Sequence, residues 1–130
     1  MNEIPNIIFI YGIDYDWDEK DVWKIDCPIE ELDINKLTWH LELPFWDYNG
    51  KNYVVTPNEV LKNPDKYHSH YNRIVNCDLA YPIDVLENKG RLVILDGLHR
   101  LAKYQLLNKD KVKVRIIPQE EFLGIAHEEK

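Results

Sequence analysis

The segment RLVILDGLHRLAKYQLL (91–107) constrains the fold more than any other stretch of this chain. Positions 92–95 are aliphatic throughout, the pattern of a short strand that is central and rigid. Leu98, Leu101, Ala102 and Leu106 then recur at the spacing of one helical face. Only Asp96-Gly97 separates the two patterns, so a strand is expected to turn into a helix over 98–107 with an acid, a glycine, an imidazole and a guanidinium at the corner.

Elements expected on either side give mixed strands and helices. NIIFIYG (6–12) reads as a buried strand, followed by an acidic loop, DYDWDEKD (14–21), whose charges are read as a solvated face. Asp14, Asp16 and Asp18 alternate, but they lack the glycine and the distal glutamate of a calcium loop. Residues 23–32 are a strand candidate leading to a polar turn at 33–36. Asn49-Gly50, between aromatic and β-branched arms, is a hairpin signal, because a type I′ turn needs positive φ at both central positions. Thr56, Pro57 and Glu59 form a capping box that starts a helix, and Asn63-Pro64 starts a second, striped by Tyr67, Tyr71, Ile74 and Val75. His68 and His70 are two apart and so do not share its face as a metal pair. A strand, an Asn/Lys/Gly turn and a strand fill 81–97, and an alternating final strand spans 112–117, closed by Pro118. The tail HEEK is expected to fray. Without regular βαβ alternation, the fold class expected is α+β with a mixed sheet and flanking helices, in a single domain over 1–130. Its N-terminal strand and acidic loop take 1–24 and its core 25–118.

Charge narrows the partners. Sixteen basic residues against 23 acidic give a net charge of −7, the wrong sign for wrapping a phosphate backbone, so a nucleic-acid partner is disfavoured. A local basic pocket for a small phosphorylated ligand remains compatible. No apolar run approaches the roughly 20 residues that span a bilayer, so no membrane partner is expected. The opening MNEIPNIIFIYG lacks a basic region and a small-residue cleavage site, which makes the cytoplasm the expected compartment. Cys27 and Cys77 form no CxxC and read as buried thiols.

The Asp96–Arg100 corner has the physics of a phosphate cradle. Gly97 permits close backbone approach or an unusual φ. The first turn of the following helix offers unpaired N–H groups, including that of Leu98, and the positive end of the helix dipole. His99 and Arg100 stand in that turn, where positive charge is unfavourable by a few tenths of a kcal/mol, a penalty that a bound anion removes. Lys103, one turn beyond His99, adds a third charge on the same face. The bland alternative is that Asp96 is simply the N-cap, Gly97 eases the turn and the charges are solvated.

The stretch PIDVLENKGRLVILDGLHRLAKYQLLNKDKVKVRII (82–117) resembles the signature half of the ParB/sulfiredoxin superfamily: strand, turn, strand, a DGxHR-type box, helix, closing strand. Its box is most similar to that of the ADP-dependent free serine kinases. That resemblance implies a ParB/sulfiredoxin-like sheet with Asp96, Gly97, His99 and Arg100 at the phosphate or magnesium end of a nucleotide. Sulfiredoxin's catalytic cysteine would fall at Leu98, which cannot be a thiol nucleophile. The partition-protein wording of the box and a helix-turn-helix domain are absent from the sequence. A catalytic glutamate in an upstream loop is also implied. In 29–46 the candidate is Glu42, with His40 second, and the competing reading is an alternating strand over 40–43.

The implied activity is a nucleotide-dependent phosphotransferase of the kinase type, acting on a small-molecule or protein hydroxyl with ATP or ADP and Mg2+. In this division of labour His99, Arg100 and the helix amides hold phosphate oxygens. Asp96 holds magnesium or orients the acceptor, Glu42 takes its proton, and Arg73 and Lys103 supplement the charge. Trp39, Trp46, Tyr48 and Tyr53 are candidate pocket walls. The competing expectations are a nucleotide-binding regulatory module with slow or no turnover and a DNA-binding or nuclease-like domain, the latter opposed by net charge.

Overall fold

The computed structural model describes residues 15–128 and is of mixed α+β class. The strand expected at 6–12 and Asp14 lie outside the described residues. A four-stranded mixed sheet is built from β2 (Ile29–Asp33), β5 (Ile83–Asn88), β6 (Arg91–Asp96) and β7 (Lys111–Ile116), in the order β2-β7-β5-β6. β5 pairs antiparallel with β6 and parallel with β7, and β2 closes antiparallel on β7. The β5–β6 turn places Lys89 and Gly90 at positive φ, as the Asn/Lys/Gly signal requires. Two small antiparallel pairs flank the sheet: β3 (Trp46–Tyr48) with β4 (Lys51–Val55), and β1 (Tyr15–Asp16) with β8 (His127–Glu128).

Helices cover both faces. On one side lie α2 (Pro57–Lys62), α3 (His68–Asn76) and α4 (Leu98–Leu106), which bury Val60, Ile74, Leu101 and Ala102 against Ile83, Val85, Ile94 and Val114. On the other, α1 (Glu19–Trp23) and α5 (Gln119–Leu123) bring Val22 and Phe122 onto Leu86, Leu95 and Ile117. Alternate residues of β5 and β6 therefore feed opposite cores, so β6, although it lies at the edge of this sheet and not at the centre as its apolar run suggested, is apolar because it is covered on both faces.

Local signals place several elements as expected. The β3–β4 turn has Asn49 and Gly50 at positive φ, and Thr56 and Glu59 complete the reciprocal capping box of α2. Other expectations are corrected. The acidic stretch 14–21 is not all loop: Asp18 caps α1 through its side chain, and Trp17 donates from Nε1 to the Leu95 carbonyl at 3.0 Å. The strand sought in 23–32 begins only at Ile29. Residues 40–43 are not an alternating strand, since Thr38–Glu42 is a 3-10 turn that follows another at Ile34–Lys36. α3 starts at His68 after a turn at 64–67, and Val75 of its expected stripe is exposed. β7 is not the final strand, because Pro118 caps α5 and residues 127–128 of the tail pair with β1.

Candidate functional site

Strand β6 delivers Asp96 to the edge of the sheet, and Gly97 turns the chain with φ +114° into the first turn of α4. Gly97 itself is the N-cap and supplies no side-chain acceptor, so Asp96 is not the cap that the bland reading assigned to it. The amides of Leu98, His99 and Arg100 have no intrahelical acceptor, and the helix is long enough for their dipoles to add. Asp96, at the same corner, is already engaged. Its Oδ2 accepts from Trp23 Nε1 at 2.6 Å and from Arg100 Nη2 at 3.2 Å.

A cavity of about 610 Å³ opens on this turn, lined among others by Glu19, Trp46, Arg73, Gly97, His99 and Arg100. His99 and Arg100 both line this space. His99 stacks on Trp46 (4.4 Å between centroids, 16°), and His70 lies on the same indole at 5.0 Å and 10°. Three buried side-chain nitrogens lack a partner among the described residues: His99 Nε2, Arg100 Nε and His70 Nδ1. Each such atom costs about 1–3 kcal/mol when left unmade, and two of the three belong to residues that line the cavity. Arg73 reaches it from α3 and makes no ion pair among the described residues.

The electrostatics favour an incoming anion. Burial, and then the neighbouring Arg73, His70 and Arg100, push His99 down to about 3, so the ring is neutral at pH 7. Glu19, although accessible to solvent, has its carboxyl raised by partial burial and by the negative Asp96 and Asp18, against the pull of Arg100 and Arg73.

The other expected residues lie apart from it. Lys103 donates from Nζ to the Cys77 carbonyl at 2.7 Å, which satisfies the end of α3. Glu42 is exposed at the end of its 3-10 turn and does not line the cavity. His40, the second candidate, is 1% exposed and occupied on both nitrogens: Nδ1 donates to the Leu37 carbonyl at 2.7 Å and Nε2 accepts from the Ile94 amide at 3.0 Å. Of the aromatic candidates, Trp46 lines the cavity. Glu19 and His70 went unread because one sits in a charge run and the other in a His-x-His pair, patterns that ordinarily mean solvated surface. Among the described residues no group of three or more His, Cys, Asp or Glu is arranged to hold a metal ion. Magnesium carried on phosphates needs only one or two carboxylates, and Asp96 and Glu19, close enough to repel, fit that smaller role. No membrane-spanning helix is found among the described residues. Comparison of the chain with family models, with curated proteins and with solved structures gives no match.

Proposed function

We propose that this chain binds the phosphates of a nucleotide in the cavity at the α4 N-terminus and transfers a phosphoryl group to a small-molecule or protein hydroxyl. One observation carries the reading: Arg73, His99, Arg100 and an open helical turn converge on one cavity, with His99 Nε2 and Arg100 Nε buried and unpartnered. Phosphoryl transfer asks mainly for positioning and charge neutralisation, and this wall supplies both. Arg73 and Arg100 neutralise phosphate oxygens, and the amides of Leu98 and His99 fix their position. Glu19, with its raised carboxyl, replaces Glu42 as the group that takes the acceptor proton. A magnesium ion on the phosphates would neutralise charge beside Asp96 and Glu19.

Titration with pyrophosphate, ADP and ATP in the presence of magnesium tests the reading. Arg73→Ala removes a charged contact worth about 1.5–3 kcal/mol, so affinity for pyrophosphate falls by a factor of roughly 10–100. Glu19→Gln keeps nucleotide affinity but abolishes the phosphorylated product. Failure of the wild-type protein to bind any of these ligands overturns the proposal. Nucleotide binding without turnover is the second reading, and one observation favours it: Glu42 stands outside the cavity. Nucleotide bound tightly with no product from any hydroxyl would select it.

A further inference from the structure

A second cavity, of about 670 Å³, adjoins the first, and Asp96 and Arg100 line both. Its floor carries Asp84 of β5 and Asp96 of β6, in register opposite each other across the two strands. Like charges at such a pair are destabilising, and here each is offset by its own guanidinium. Arg115 Nε donates to Asp84 Oδ1 at 2.6 Å, and Arg100 Nη2 to Asp96 Oδ2 at 3.2 Å. Arg115 commits its other two nitrogens to the carbonyls of Ile25 (2.5 Å) and Val22 (3.0 Å). The second oxygen of each carboxylate accepts no hydrogen bond from a described residue. The floor therefore presents acceptors, while each nitrogen of Arg115 already makes a hydrogen bond.

The walls are apolar and open. Trp23, Ile29 and Tyr81 line this cavity and are 55, 58 and 65% exposed. The Trp23 ring is fixed in place by its Nε1 bond to Asp96. A single exposed aromatic residue needs no explanation, but three large apolar side chains around a floor of a few polar groups are the composition of a ligand site.

We infer that this second cavity binds a flat aromatic or heteroaromatic group that carries N–H donors. Trp23 and Tyr81 supply stacking faces, and the free oxygens of Asp84 and Asp96 receive the donors. The inference rests on this cavity's own residues and stands whether or not the first cavity holds phosphate. Two sources share the chemistry: the base of a nucleotide whose phosphates lie next door, or a separate aromatic amine brought beside them.

Calorimetric titration with two matched pairs tests the inference and separates the sources: adenosine against purine riboside, and tyramine against 4-ethylphenol. In at least one pair the amino-bearing member binds roughly tenfold or more tighter, since without it a carboxylate oxygen is left unpaired. Tyr81→Ala, at an exposed position, weakens that binding roughly tenfold while melting temperature and pyrophosphate affinity stay unchanged. Arg73→Ala does the reverse. A preference within the adenosine pair identifies a base, and one within the tyramine pair a separate amine. The inference is overturned if neither amino-bearing probe binds, if its amino-free partner binds equally well, or if Tyr81→Ala binds as tightly as wild type. Loss of pyrophosphate binding alone sinks the phosphate reading and leaves this one standing.

Discussion

At Gly97 the backbone sits at φ +114°, and a Cβ added there would lie 3.1 Å from Arg100 Nη2 and 3.2 Å from the Ile83 Cα. The Arg100 side chain can yield, but Ile83 Cα belongs to the sheet and cannot. Gly97→Ala is therefore expected to cost about 1–3 kcal/mol in urea denaturation and to push the guanidinium off Asp96. An unchanged denaturation midpoint would remove the argument that close packing requires glycine at this corner. Gly97, His99 and Arg100 were legible in the sequence because the turn that assembles them is five residues long. The partners that give the corner its chemistry were not. Trp23 reaches Asp96 across 73 positions, and Arg73 and Trp46 enter from other elements. No local periodicity encodes such a meeting, since it depends on how α1, α3 and the β3–β4 hairpin dock.

Elements whose ends carry their own chemistry could be read from residues alone. Both tight turns have a residue at positive φ followed by glycine, Asn49-Gly50 and Lys89-Gly90, and Thr56 with Glu59 closes the start of α2 at 3.0 Å in both directions. Thr56→Ala leaves the Glu59 amide without its acceptor, and a loss of about 1 kcal/mol in thermal or urea unfolding is expected. Destabilisation below a few tenths of a kcal/mol would show that the box is formed but contributes nothing. Between residues 23 and 43 the reading failed for a physical reason. His40-Leu41-Glu42-Leu43 alternates like a strand, yet Leu41 is buried within a 3-10 turn and Leu43 just after it, and the turn's short length leaves too few residues for its period to show. Glu42, nominated by the family resemblance and not by that alternation, is left in solvent by the turn, whereas a single turn of helix brings Glu19 to the cavity.

Across the whole molecule, protonation ties the fold to the site. His40 joins the 3-10 turn to the sheet by donating to Leu37 and accepting from Ile94, and burial pushes it down to about 4. A protonated ring could not accept from the Ile94 amide. The unfolded chain takes up this proton near the ordinary histidine value of about 6.5, whereas the folded chain resists until about 4. Between those two values the unfolded state binds more protons, so stability is full above pH 6.5 and falls as the pH drops. The loss approaches about 3 kcal/mol near pH 4 from this residue alone. His99 works in the same direction, held down by burial and by Arg73, His70 and Arg100, but a bound anion would reverse the charge part of its shift. Urea denaturation at intervals from pH 7.5 to 4.5 should therefore show the midpoint falling in wild type and falling less in His40→Gln. Sulfate, whose charge is constant over that range, should flatten the wild-type profile further, and its effect should vanish in Arg73→Ala. Parallel wild-type and His40→Gln profiles would mean that His40 is not the titrating joint. A sulfate effect that survives Arg73→Ala would place the anion somewhere other than the α4 turn.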